Sequence, residues 1–185
     1  PLALKLAARD PSKNIAYLAR PCQFVDLARE INCHEGYWTD QRYSEDVVFS
    51  MNTAVSNLKA QSGAVNLHLV GYSGGAAIAV LIASRRKDVL SIRTVAGNLD
   101  PVSLFKAKNV TPLYGSLDPS KTAIKLAEVP QVHFSGKDDT IVPPWVALNW
   151  LNLSQNSRCI SHSTLSDTNH NSGWAHKWQQ LLLIK

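Results

Sequence analysis

The pentapeptide Gly71-Tyr72-Ser73-Gly74-Gly75 limits what this chain can fold into more than any other stretch. A strand-like run, Val65–Val70, leads into it, and eight consecutive apolar residues, Ala76–Ala83, lead out. A chain that passes from strand to buried helix within five residues must turn sharply, with strained backbone angles at the serine. Glycines at 71 and 75 are expected where strand and helix approach too closely for side chains. Such a turn lifts the Ser73 hydroxyl clear of a sheet and sets it above a helix N-terminus, where the Gly74 N–H can stabilise an oxyanion. Gly74 and Tyr72 are therefore candidate oxyanion or substrate-binding residues. The competing reading is a structural or phosphate-binding glycine turn, but no Lys follows as in a P-loop and no Gly-x-Gly-x-x-Gly is present.

Elsewhere the sequence alternates strand-like and helical patterns. Pro1–Asp10 reads as part of an amphipathic helix without a secretion-signal pattern or initiator Met, as in a processed or truncated product. Asn14–Leu18 reads as a strand ended by Arg20-Pro21. Ser44 can cap a helix with apolar positions Val47, Val48, Met51, Ala54, Val55 and Leu58, closed by Gly63. Further strands are predicted over Val89–Ala96, Gln131–Ser135 and Arg158–Leu165, with helices opened by Pro143-Pro144 and spanning Trp174–Leu183. This alternation predicts a mostly parallel sheet in a three-layer α/β domain, with its chemistry at the carboxyl ends of the strands. The 185 residues fit one domain, 1–185, with a short cap-like insertion at about 101–129. The longest apolar run is far too short to cross a bilayer, so no integral membrane segment is expected.

Nineteen Lys and Arg against fourteen Asp and Glu give a net charge of +5, but the cations are scattered and only Arg85-Arg86-Lys87 cluster. Those three end an apolar helix, where positive charge suits the macrodipole, so nucleic acid is not an expected partner. Cys22 and Cys33 lie eleven residues apart; a disulfide and two reduced thiols both remain open. Cys159 reads as a small buried hydrophobe in a strand. No metal-ligand spacing is present, and neither metal nor cofactor is expected.

A nucleophilic serine needs a base, and the base an orienting acid, in the chain order Ser, Asp or Glu, His. Asp138 and Asp139 follow the strand Gln131–Ser135, and Asp100, before Pro101, is a competitor whose alternative role is helix capping. Of six histidines, His34, His68 and His133 lie before or within the acid strand, and His162 is mid-strand. His176 falls in the first turn of the last helix, where a solvent-facing role is ordinary. His170, in the polar loop Thr168-Asn169-His170-Asn171-Ser172, is the preferred base.

Leu67–Ala83 resembles the nucleophile elbow of the α/β-hydrolase superfamily. Gly136-Lys137-Asp138-Asp139-Thr140-Ile141-Val142-Pro143 is similar to its acid loop, in which Asp stands four residues before Pro; the resemblance selects Asp139. His170–Trp174, with Trp178 and Leu181-Leu182, looks like the histidine loop and final helix of a bacterial, esterase-like subgroup. Ala19–Gln23, Cys33, Trp38-Thr39, Arg42-Tyr43-Ser44 and Val95–Asp100 resemble the same subgroup. The likeness implies an α/β-hydrolase fold and a Ser73–His170–Asp139 triad. It also implies an earlier strand and a glycine-containing loop supplying a second oxyanion donor, and the sequence begins after the place where that element is expected. The subgroup resembles exported or lipid-anchored bacterial proteins, which favours a Cys22–Cys33 bridge, with a cytoplasmic location the alternative.

The resulting expectation is hydrolysis of a carboxylic ester through a Ser73 acyl-enzyme. A non-catalytic ligand-binding scaffold, or thioesterase, acyltransferase or peptidase activity from the same triad, are the alternatives. The short insertion implies an open site for small soluble ester or acyl substrates; oligomeric state stays open. Trp38, Trp145, Trp150, Trp174 and Trp178 are assigned mostly to the core.

Overall fold

The computed structural model describes residues 1–26, 30 and 32–184. Among these, strands β1 (Leu67–Tyr72), β2 (Val89–Val95), β3 (Gln131–Gly136) and β4 (Ile160–Leu165) form one sheet in the order β1-β2-β3-β4. Every pair is parallel, so each crossover must carry the chain back over a face of the sheet. Six α-helices accompany them: α1 (Leu2–Ala7), α2 (Glu45–Ser62), α3 (Gly74–Ala83), α4 (Pro101–Ala107), α5 (Trp145–Leu153) and α6 (Trp178–Leu181). None is long and apolar enough to cross a membrane.

Alternation along the strands divides the core in two. Ile92 and Ile160 pack with Ala76, Val80 and Ala83 of α3 and with Val146 and Trp150 of α5. Val95, Val132 and Phe134 point to the opposite face and pack with Leu6 of α1 and Trp178 and Leu181 of α6. Helix α3, buried on all sides, is covered in turn by Val47, Val48, Met51 and Val55 of α2. The α/β layering expected from the sequence is the one observed, and β3, buried along its whole length, lies inside the sheet.

Local signals account for the helix ends. The Ser44 hydroxyl accepts the Val47 N–H, and Gly63 closes α2 in the left-handed region at φ 66°. Arg85 forks onto Glu45, while Arg86 pairs with Asp88 and reaches Asn52 and Ser56. Arg85 and Arg86 thus tie α2 to the end of α3 by specific bonds, beyond the dipole role expected of them. Cys22 and Cys33 are bridged, with Cα atoms 5.5 Å apart.

Several expectations are corrected. Asn14–Leu18 forms no strand: no partner strand flanks it, and Ile15 and Tyr17 stay exposed. An apolar run alone does not make a strand without a ladder to join. Cys159 precedes β4 and is half-buried. The last helix starts at Trp178 rather than Trp174, because Gly173 (φ 88°) and a bond from the Trp174 indole to the Asn169 carbonyl hold residues 173–174 in the preceding loop. Trp150, Trp174 and Trp178 are fully buried.

The turn between β1 and α3 is as tight as expected, but one glycine carries the close approach. A Cβ on Gly71 would lie 2.4 Å from the Ala76 Cα, whereas one on Gly75 would meet nothing within 4 Å. The expectation that both glycines are sterically required is corrected: Gly75 faces open space in the first turn of α3. Replacing Gly71 with Ala should therefore cost at least about 2 kcal/mol of stability. Replacing Gly75 with Ala should be neutral, or stabilise by up to about 1 kcal/mol through helix propensity. Chemical denaturation of the two variants compares them directly.

A second expected outcome concerns pH. His133 is wholly buried in β3, bonded through Nδ1 to the Thr94 hydroxyl (2.8 Å) and edge-on to Trp150. Burial, with a smaller contribution from His162, pushes its imidazole down to about 3. The folded protein holds it neutral, while the unfolded chain protonates it near pH 6.5. Stability from this group is thus full above about pH 6.5 and falls as pH drops toward 3, by about 1.4 kcal/mol per pH unit. His133→Leu should flatten the decline between pH 6.5 and 5, read from urea midpoints across that range.

Candidate active site

Ser73 sits at the carboxyl end of β1 and caps α3 with φ 50° and ψ −121°, a conformation that non-glycine residues rarely adopt. Three backbone bonds hold it there. Its N–H donates to the Val95 carbonyl, and its own carbonyl accepts from Ala76 and Asn98, each at 3.0 Å. The strain is thus supported from both α3 and the end of β2. As the first residue of α3, Gly74 has an N–H with no carbonyl partner in the helix.

Asp139 follows β3 and is 3% exposed. Its Oδ1 accepts the Ile141 and Val142 N–H groups, both at 2.8 Å, which fixes the carboxyl plane. Oδ2 lies 2.9 Å from His170 Nδ1, and His170 Nε2 lies 2.9 Å from Ser73 Oγ. One imidazole therefore bridges carboxylate and hydroxyl, residues drawn from three strand ends.

The loop carrying His170 is built to hold its shape. Asn169 Oδ1 accepts the Asn171 and Ser172 N–H groups, the Trp174 indole donates to the Asn169 carbonyl, and the buried Trp174 ring anchors the loop below. The loop also lies flush on β3: a Cβ at Gly136 would approach the Thr168 carbonyl oxygen to 2.4 Å.

The other candidates lie apart. Asp138 is exposed, and its N–H bonds the Thr168 carbonyl. Asp100 caps α4 through the Ser103 N–H and accepts from Asn149. His176 and His34 are exposed, His34 packed against the Tyr37 ring at a 40° tilt. His68 and His162 bond Ser91 and Ser135 across the sheet. Tyr72 lies beside the imidazole, with ring centroids 5.3 Å apart, and its hydroxyl donates to Asn171 Oδ1 at 2.9 Å. Burial first, and then the Asp139 charge, push the Tyr72 phenol above its ordinary value.

Two neighbours were not singled out from sequence as site residues. The buried Tyr43 hydroxyl lies 2.9 Å from where a Gly74 Cβ would be, and it accepts from the Asn98 amide at 3.3 Å. Burial pushes the Tyr43 phenol up. Both residues fall within stretches that carry the family resemblance, but neither has a motif of its own. Clefts of about 450 Å³ and 350 Å³ flank residues 110–113; the first reaches Arg42 and Phe105, the second Pro101 and Val102. Neither is lined by Ser73, Asp139 or His170.

Compared by sequence, no family model matches the chain and no curated protein is similar to it. Its fold is similar to several solved structures. A crystal structure of puromycin hydrolase superposes with TM-score 0.56 at 16% identity, over 70% of this chain and 22% of that one. MGS-MChE2, an α/β hydrolase from the metagenome of lagoon sediments at Mar Chica, Morocco, gives 0.54 at 19% identity over 73% of this chain and 67% of that one. The monoacylglycerol lipase of Paleococcus ferrophilus gives 0.55 at 13% identity over 73% of each. The chain spans about a fifth of the puromycin hydrolase it matches. A parallel sheet, a helix leaving the first strand through a strained serine, and these superpositions together make this an α/β-hydrolase-fold protein.

Proposed function

We propose that the chain carries the catalytic machinery of a serine hydrolase that cleaves carboxylic esters through an acyl-enzyme on Ser73. The observation that carries this reading is the His170 imidazole, 2.9 Å from both Asp139 and Ser73. On attack, the Ser73 hydroxyl proton passes to His170 Nε2 as Oγ bonds the ester carbon. Asp139 accepts the Nδ1–H and so fixes which ring nitrogen is free to take that proton. The developing oxyanion lies toward the Gly74 N–H, a donor of the kind whose loss costs 10²–10³ in rate. Collapse breaks the ester C–O bond, and the alkoxide leaves with the proton from His170; water then repeats the sequence and releases the acid.

The fold neighbours include proteins named as a lipase and as a puromycin-hydrolyzing peptidase. An ester asks less of the triad than an amide, because an alkoxide leaves with less assistance than an amine.

Treatment of the full-length protein with a fluorophosphonate should label the wild type and leave Ser73→Ala unlabelled. Ser73→Ala should lower turnover of a p-nitrophenyl ester by at least about 10³-fold, and Asp139→Asn by roughly 10²–10⁴-fold. A folded wild type that takes no label would instead be a ligand-binding scaffold, and the enzyme reading would fall.

A further inference from the structure

The residue before the nucleophile is tied to the loop that carries the base. Tyr72 touches the His170 loop twice: its ring packs on the imidazole, and its hydroxyl donates to Asn171, 99 residues away in sequence. We propose that Tyr72 is a positioning residue that, through Asn171, holds the His170 imidazole in line with Ser73. The inference rests on the acyl-enzyme reading and goes beyond it.

Three features support it. First, the edges of the imidazole are committed, Nδ1 to Asp139 and Nε2 to Ser73. Neither bond stops the ring from swinging about the line that joins them. A ring beside the imidazole opposes that motion: the Tyr72 ring lies 5.3 Å from it, centroid to centroid, with the planes tilted by 41°. Second, Asn171 is itself braced, because its N–H donates to Asn169 Oδ1 while its own Oδ1 receives the Tyr72 hydroxyl. The bond therefore grips a preformed turn rather than a free side chain. Third, Tyr72 is the last residue of β1 and is bonded directly to Ser73, so a shift of the elbow carries the base loop with it. With its hydroxyl on Asn171, Tyr72 has no proton directed at the Ser73 oxygen, which sets this role apart from oxyanion or substrate binding.

The consequence is selective. Loss of the tether leaves Ser73, Asp139 and the fold in place, and lowers the fraction of molecules whose imidazole is aligned. Catalytic rate falls while substrate affinity stays. One lost hydrogen bond of this kind corresponds to a fall of about 3–10-fold.

The test uses Tyr72→Phe, Asn171→Ala and the double variant in the full-length protein, with kcat and KM for a p-nitrophenyl ester and the rate of fluorophosphonate labelling. Asn171 is exposed, so its replacement leaves the core untouched. Each single variant should lower kcat and the labelling rate by about 3–10-fold, with KM within two-fold of wild type and an unchanged melting temperature. The double variant should be no slower than the singles, because both remove one bond. Tyr72→Leu, which also removes the ring, should be slower than Tyr72→Phe. A rise in KM at constant kcat would make Tyr72 a substrate contact and overturn the proposal. Unchanged kcat in both single variants, with an active and labelled wild type, overturns this inference alone. Absence of label on the wild type overturns the acyl-enzyme reading and this inference with it.

Discussion

Gly71 lies so close to Ala76 that no side chain fits between them, and the geometry of the site follows from that contact. It fixes how steeply α3 leaves β1, and the steepness puts Ser73 in the left-handed region with its backbone groups shared among α3, Val95 and Asn98. An ordinary turn would let the serine relax into the sheet. Here relaxation is blocked on the strand side by helix backbone and on the helix side by an apolar cylinder buried along its length. The cost of a strained residue, on the order of 1–3 kcal/mol, is met by packing distant from it.

Around that fixed point the remaining groups are aligned by backbone bonds more than by side-chain packing. Asp139 is oriented by two N–H groups of its own loop, and the histidine loop by an Asn169 side chain that closes it on itself. Such short-range bonds make each loop a preformed piece. The parallel register of β1, β2, β3 and β4 then brings the pieces to one rim.

Much of this could be read from sequence, for reasons that differ by residue. The elbow was legible because glycine, serine and an unbroken apolar run have few alternative uses together. Capping by Ser44 and Gly63 was legible because helix ends follow local chemistry. Composition and spacing could not separate Asp138 from Asp139, which are chemically identical and adjacent; the resemblance to an acid loop did so. In the fold one faces solvent and the other is buried against His170. The motif does not set Gly75 apart from Gly71, because a motif records which residues recur and not which of them meets an obstacle. Asn14–Leu18 has the pattern of a strand without forming one, because strand pairing depends on a neighbour that no local pattern encodes. Tyr43 and Asn98 carry no motif of their own: Tyr43 meets Gly74 from the segment leading into α2, and Asn98 meets Ser73 from the end of β2.

Asp139 and His170 are moored on opposite sides of the sheet. Val142, whose N–H steadies Asp139, belongs to the layer formed with α3 and α5, while Trp174, which braces the histidine loop, belongs to the layer formed with α1 and α6. The imidazole–carboxylate bond therefore joins the two packing layers at the rim of the sheet. A change that shifts either layer against the sheet would therefore be felt at the bond between His170 and Asp139.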